Sequence, residues 1–373
     1  MEKVTKILHE YDVDFERGFL PAQDPLTALP DEFQTWENLA SNLSAYINAG
    51  VIREKIEVLP LIEDFTLNSS AELERAMLLL SFFAHAYVHS SSEPKKYIPA
   101  SIAIPWVKVA KSLNRKPILS HSSAVLNNWK RLDINKPIQL DNLATLCQFH
   151  GGMDESWFYL VTVEIEQVGA KAIPKVLKVM EYAAEDSLTK AADCLSEVNI
   201  VLEALLVSLK KMYERCDPYI FYLRVRPFLA SFEVIKYSGT DLPPQNIHGG
   251  SAAQSSLLQF FDAALGMDYS NPSTKEYLLL MRQHMPQKHA AFLFFTEKSS
   301  TLRMKAPKNE KLHKEYKAAV QHLINFRNEH LKFVALYIMK QAKKLESSTV
   351  GTGGTNPMEF LKSVRNRNIE SIL

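Results

Sequence analysis

Cysteine is scarce in this chain. The three cysteines, Cys147, Cys194 and Cys216, are odd in number, far apart and without any CxxC spacing. That excludes a disulfide framework and a cysteine-based zinc site, and it favours a reducing, intracellular setting. HExxH is missing, and so is CxxCH, which removes a zinc-protease helix and a covalently attached c-type haem. No apolar run reaches the ~18 uninterrupted residues that a membrane span needs. The opening MEKVTKILHEYDVDFERG has acids among its apolar positions and no signal-peptide core, so a cytoplasmic protein is expected. An excess of either charge is lacking too: Lys plus Arg number 43, Asp plus Glu 42, and no basic block stands out. Neither nucleic acid nor a membrane surface is expected as a partner, and a small molecule is.

What is present fits a globular protein with a large core: 46% hydrophobic residues, 23% charged and only 12 glycines in 373 residues. This length allows two domains. Prolines at 21, 25, 30, 60, 94, 99, 105, 117 and 137 break the first third into short elements. Within it, Asp31 to Ala49, Ser70 to Val88 and Ile102 to Leu113 read as helices. The first two read as amphipathic, and the second is entered through Ser70 with Glu72 and Glu74 favouring the helix dipole.

From about Trp157 the pattern lengthens. Leu188, Ala191, Leu195, Val198, Leu202, Leu205, Leu209 and Met212 alternate spacings of three and four, which predicts one helix ending near Cys216-Asp217-Pro218. The run Lys308 to Val350 is free of Gly and Pro and places Leu312, Tyr316, Ala319, Leu323, Phe326, His330, Phe333 and Tyr337 on the same repeat. Two loops stand out, Gly239 to Gly250 (GTDLPPQNIHGG) and Ser347 to Pro357 (SSTVGTGGTNP), each able to cover a pocket.

His330 lies inside an apolar stripe, where an imidazole is either a hydrogen-bonded core residue or a metal ligand. Arg327, one turn earlier, lies on nearly the same face, and a guanidinium there needs an anion. That anion is either an acid from elsewhere or a cofactor propionate. His85 and His89, four apart, could bridge a metal on a helix, but no third ligand is evident.

In WFYLVTVEI, Phe158, Thr162 and Ile165 share a helical face, with core packing and a Thr162 bond back to its own helix as the plain alternative. Phe221 and Arg226 in IFYLRVRPF offer an aromatic wall and a cation suited to a carboxylate, or else a structural salt bridge, with Pro227 interrupting the helix. The small residues from Gly249 through Ser251 and Ala252 would let a flat ligand approach the backbone. GTGGT at Gly351 lacks the lysine of a phosphate loop and follows a helix, so it reads as a lid.

Taken in order, GFLP at Phe19, NNWK at Asn127, WFYLV at Trp157, FYLRVRPFL at Phe221, GGSAAQSS at Gly249, MPQKH at Met285, RNEHL at Arg327 and GTGGT at Gly351 resemble the indoleamine 2,3-dioxygenase family over nearly the whole chain. The resemblance implies an all-α fold with a small N-terminal domain (1–148) covering the distal side and a large helical domain (149–373) enclosing haem b. It implies His330 as the axial iron ligand and Arg327, Gly250 and Ser251 at the haem. Phe158, Phe221, Arg226, Ala252, Thr352 and His121 would contact substrate, and Thr162 and Ser251 would stand beside the reaction.

The implied activity is insertion of O2 across the indole C2–C3 bond of L-tryptophan or another indoleamine to give N-formylkynurenine, with an electron donor keeping the iron ferrous. The same scaffold is also similar to oxygen-binding, myoglobin-like haem proteins and to haem proteins acting on other indoles. Retention of Arg226, Phe221 and the GTGGT lid together favours the enzyme. Two positions depart from the family pattern: Thr162 stands where serine or histidine is usual, and His121 where a pocket tyrosine is common. Both bear on turnover and preference rather than on the axial ligand.

Overall fold

The computed structural model describes residues 2–267, 271–345, 351–352 and 356–370. It is an assembly of helices with a few short strands. Short helices Glu2–Glu10, Gln34–Ser41, Leu43–Asn48 and Ile52–Glu57 come first. They lead into α1 (Ser70–His89) and α2 (Ala100–Ser112), followed by α3 (Met153–Ala170), α4 (Ile173–Ala184) and α5 (Leu188–Lys210). Next come α6 (Ser256–Ala264), α7 (Gln287–Ser299), α8 (Glu310–Phe333) and α9 (Pro357–Glu370).

The two long stripes form the helices that their spacing predicts. Along α5, Leu195, Val198, Leu202, Leu205 and Leu209 are buried, and along α8, Leu312, Tyr316, Ala319, Leu323 and Phe326. These two helices share the most extensive helix pairing in the molecule. Asn199 crosses that seam, its Nδ2 donating to the Glu315 carbonyl at 3.1 Å. Helix α8 begins at an Asn309 cap, whose side chain accepts from the Leu312 N–H.

The first third departs from its sequence reading in two places. Asp31 to Ala49 is not one helix but a 3-10 turn (Asp31–Phe33) and two short helices broken at Asn42, whose φ of −106° and ψ of 3° leave the helical region. Helix α1 is not amphipathic either: every residue from Arg75 to Val88 is buried, as befits a central helix covered on all sides. Its cap is Ser69 rather than Ser70. Ser69 Oγ accepts from the Glu72 N–H, and Glu72 reaches back to accept from the Asn68 N–H at 2.6 Å.

A small sheet joins distant segments. Tyr97–Ile98 pairs in parallel with Lys236 and Tyr237, and the strand Phe232–Tyr237 pairs antiparallel with Gln245–Ile247. The Pro- and Gly-rich stretch Gly239 to Gly250 thus contains a strand. The register slips between Phe232 and Ile235, where Val234 adopts a φ of +47°. One continuous hydrophobic core draws side chains from both sides of residue 148: Phe82 stacks on Phe149 at 4.4 Å between centroids, and Trp106 meets Phe232 edge-on at 6.4 Å. Among the described residues no helix is long and apolar enough to cross a membrane.

Candidate functional site

Three π-helical turns occur among the described residues, and each adjoins a residue of the expected site. Ser122–Leu126 follows His121, Phe221–Val225 contains Phe221 and precedes Arg226, and Val334–Met339 continues α8 just beyond His330. A wide turn re-aims the side chains next to it, and such turns concentrate at functional sites.

His330 is partly accessible, in contrast to the sealed core around it. Burial, reinforced by the nearby Arg327 charge, pushes its imidazole down to about 4, so the ring is neutral and keeps a lone pair at neutral pH. Two of the other buried histidines are bonded to backbone. The His85 Nδ1–H donates to the Phe228 carbonyl at 2.6 Å while its Nε2 accepts the Leu119 N–H at 3.1 Å, and His289 Nε2 lies 3.2 Å from the Asp12 carbonyl oxygen. His85 is therefore a satisfied core imidazole, not half of a metal pair. No such bond engages the His330 ring among the described residues. His284 also lacks partners there, but it is 1% exposed and sealed.

Arg327 takes the first of its two alternatives. Its Nη2 meets Asp262 Oδ2, contributed by α6, at 2.6 Å, with both side chains nearly buried. The protein thus supplies an anion at this position by itself, and a propionate would join an existing pair rather than neutralise a lone cation.

An aromatic wall connects the remaining elements. Phe158 of α3 and Phe221 are 4.7 Å apart between ring centroids, and Phe221 meets Tyr337 edge-on at 5.8 Å. Thr162, one turn beyond Phe158, donates its hydroxyl back to the Phe158 carbonyl at 3.0 Å, the plain alternative of the sequence reading. Arg226 lies over the Tyr222 ring, 4.9 Å from its centroid, and burial lowers its pKa.

A second cluster surrounds the double glycine. A Cβ at Gly249 would fall 2.2 Å from the Leu229 carbonyl oxygen, so this glycine is required by close approach of the chain to itself. At Gly250 the nearest atom would be 3.7 Å away, which leaves room. Ser251 caps a short 3-10 turn, its Oγ accepting from the Ala253 N–H, and Ala252 is exposed.

Thr352 is tied to this loop. Its hydroxyl donates to the Gly250 carbonyl at 2.6 Å, and its own carbonyl accepts from Gly249 N–H and Ser231 Oγ. Gly353, Gly354 and Thr355 of the GTGGT motif lie outside the described residues, as do residues 347–350 of the predicted lid.

His121 is buried at the start of its π-helical turn. Its N–H donates to Gln254 Oε1 at 2.9 Å, and Gln254 Nε2 donates to the Gly249 carbonyl at 2.8 Å, which fixes His121 to the glycine loop. Its Nε2 lies 2.9 Å from Glu166 Oε1. Glu166, Asp262, Gln254, Ser231 and Tyr337 were not anticipated as members of this region. The available signal was Glu164 and Glu166 within the otherwise apolar run of α3, where a buried acid needs a partner.

The mostly helical fold carries a neutral His330 imidazole on α8 and an aromatic wall of Phe158, Phe221 and Tyr337. A family model described as indoleamine 2,3-dioxygenase matches residues 7–371. Indoleamine 2,3-dioxygenase 1 of Mus musculus is 35% identical over 400 residues, covering 100% of this chain and 97% of that protein. The 6-hydroxytryptophan 2,3-dioxygenase of Fusarium equiseti is 32% identical over 407 residues, covering 100% of this chain and 99% of that protein. Indoleamine 2,3-dioxygenase of Aspergillus nanangensis is 32% identical over 398 residues, covering 98% and 97%. The chain belongs to the indoleamine 2,3-dioxygenase family, a family of oxygen-incorporating enzymes.

Proposed function

We propose that this protein is a haem b-dependent dioxygenase that inserts O2 across the indole C2–C3 bond of L-tryptophan or a related indoleamine, giving N-formylkynurenine. The observation that carries this reading is His330: a neutral imidazole on a long helix, partly accessible and without a hydrogen-bond partner among the described residues. That is the state an axial nitrogen ligand needs. When bound, haem supplies the iron chemistry that oxygen insertion requires. An external electron donor that keeps the iron ferrous completes the set of partners. The three free thiols support an intracellular setting.

The chain's own residues orient the substrate and exclude water. Residues 149–373 would hold the cofactor through His330, and residues 1–148 would cover the opposite side. Phe158 and Phe221 would present an apolar wall to the indole, and the partly buried Arg226 would grip the amino-acid carboxylate with its planar fork. The Thr162 hydroxyl is already committed as a donor to its own helix, so in this state it offers lone pairs rather than a proton. Gly250, Ser251 and Ala252 would wall the ligand edge, and Thr352 clasps the tail onto the same loop. The Arg327–Asp262 pair stiffens the helix that carries His330 and stands ready to receive a propionate.

The test is direct. Protein reconstituted with haemin, reduced, and given tryptophan and O2 is followed for N-formylkynurenine absorbance and product mass. Stable reversible O2 binding without product from tryptophan, 6-hydroxytryptophan or tryptamine would overturn the enzymatic reading. Failure to take up haem would overturn both it and the oxygen carrier.

A further inference from the structure

Behind the distal wall lies a buried carboxylate that the activity above does not use. Glu166 is on α3, one turn beyond Thr162 and hence on nearly the same face, and it is 1% exposed. Its Oε1 receives two contacts, His121 Nε2 at 2.9 Å and Ser255 Oγ at 2.7 Å, while its Oε2 has no partner among the described residues.

The direction of these bonds is fixed by the surroundings. Ser255 caps α6, its Oγ accepting from the Leu257 N–H, so its own hydrogen is free to point at Glu166. A carboxylate only accepts, and therefore the proton between Glu166 and His121 sits on Nε2. With Nε2 so occupied, the neutral tautomer of this ring carries its lone pair on Nδ1. No described residue is bonded to Nδ1. The backbone of His121 is clamped through Gln254 to Gly249, so the ring is anchored beside the glycine loop that walls the proposed indole pocket. A carboxylate that fixes one imidazole nitrogen and leaves the other to face a reactant is the arrangement by which enzymes present a hydrogen-bond acceptor of set orientation.

We propose that His121 Nδ1 is a specificity-determining acceptor for a hydrogen-bond donor on the indole ring, with Glu166 as the positioning residue that sets its tautomer. The substrate class favoured is an indoleamine whose ring carries such a donor, either the pyrrole N–H or a ring hydroxyl. The inference rests on the dioxygenase reading for the identity of the pocket. It goes beyond that reading in assigning preference to the His121–Glu166 pair. A phenylalanine at position 121 would offer no polar atom, and a tyrosine would offer a hydroxyl that donates as well as accepts and is not held in one orientation by Glu166 in this way.

The experiment measures binding without turnover. Ferric holoprotein is titrated, by its haem spectrum, with tryptophan, 1-methyltryptophan, 5-hydroxytryptophan and 6-hydroxytryptophan. A pyrrole N–H contact makes 1-methyltryptophan at least about tenfold weaker than tryptophan; a hydroxyl contact makes one hydroxytryptophan at least about tenfold tighter. His121→Phe should erase whichever ratio is found, and Glu166→Gln should reduce it. Ratios near one in the wild type, or ratios unchanged in both variants, would overturn the proposal.

A second readout is independent of ligand. In 15N-histidine-labelled protein in the diamagnetic ferrous carbonyl form, His121, assigned by its loss in His121→Asn, should show a protonated Nε2 and an unprotonated Nδ1. Glu166→Gln should mix the tautomers, and a pure Nδ1–H tautomer in the wild type would refute the assignment. Haem uptake and tryptophan binding with unchanged ratios would sink this inference alone. Absence of haem uptake would sink the proposed function first.

Discussion

The guanidinium of Arg327 and the carboxylate of Asp262 meet at 2.6 Å one helical turn before His330, with side chains 5% and 6% exposed. A pair this deep holds α6 against α8, and deleting one partner strands a charge out of water. Asp262→Ala should lower unfolding stability by roughly 3–5 kcal/mol, whereas Asp262→Asn should cost less because a hydrogen bond survives. Urea midpoints of the three proteins check this, and an Asp262→Ala midpoint equal to wild type would show that the pair contributes nothing.

His330→Ala should abolish the Soret band of histidine-ligated haem after reconstitution with haemin while leaving far-ultraviolet dichroism intact. An unaltered absorption spectrum in the variant would reassign the axial ligand.

Arg226→Ala should raise KM for L-tryptophan by roughly 10- to 100-fold, the loss of one charge-assisted contact of ~1.5–3 kcal/mol. Tryptamine has no carboxylate and should lose far less. Equal losses for the two substrates would return Arg226 to a purely structural role.

Histidines set an acid limit on stability. Burial pushes His89 and His289 down to about 4 and His284 to about 3. Their folded-state values lie below the ordinary value of 6.5, so between the two the unfolded chain binds more protons. Stability is therefore fully present above pH 6.5 and falls as pH drops toward about 4. Denaturant midpoints between pH 7.5 and 4.5 should trace that decline. His284→Leu, which removes a titrating group without partners among the described residues, should flatten it.

Val234 is a β-branched residue at φ +47°, exposed at a slip in the strand register. The left-handed region costs such a residue about 1–2 kcal/mol, and asparagine tolerates it better. Val234→Asn should raise the melting temperature, and a fall would show that the Val234 side chain contributes more than its backbone costs.

Legibility in the sequence followed the range of the interaction. The α5 and α8 stripes print their period because each helix buries one face, and the resemblance motifs stand on these and neighbouring elements. Helix α1 hides its environment because covering on every side erases the period, so Ser70 to Val88 reads as amphipathic although Arg75 to Val88 is buried throughout. The strand Phe232–Tyr237 went unseen because its partners, Tyr97–Ile98 and Gln245–Ile247, are set by tertiary packing rather than by a local turn signal. The site divides in the same way. His330 and Arg327 share one helix and were visible together, but the anion for Arg327 comes from Asp262, 65 residues away, and the partner of His121 from Glu166, 45 residues away. No spacing rule connects such pairs before the chain is folded.

The neighbouring glycines at 249 and 250 have opposite evolutionary freedom. The first is pressed against the Leu229 carbonyl, so any side chain there would pry the loop from its seat and drift is closed to it. At the second, a methyl group would sit in ordinary contact with the Leu119 carbonyl oxygen at 3.7 Å, without moving backbone. New preferences in descendants of this gene can thus enter by single steps at 250, while a library randomised at 249 should return only glycine codons among its active clones.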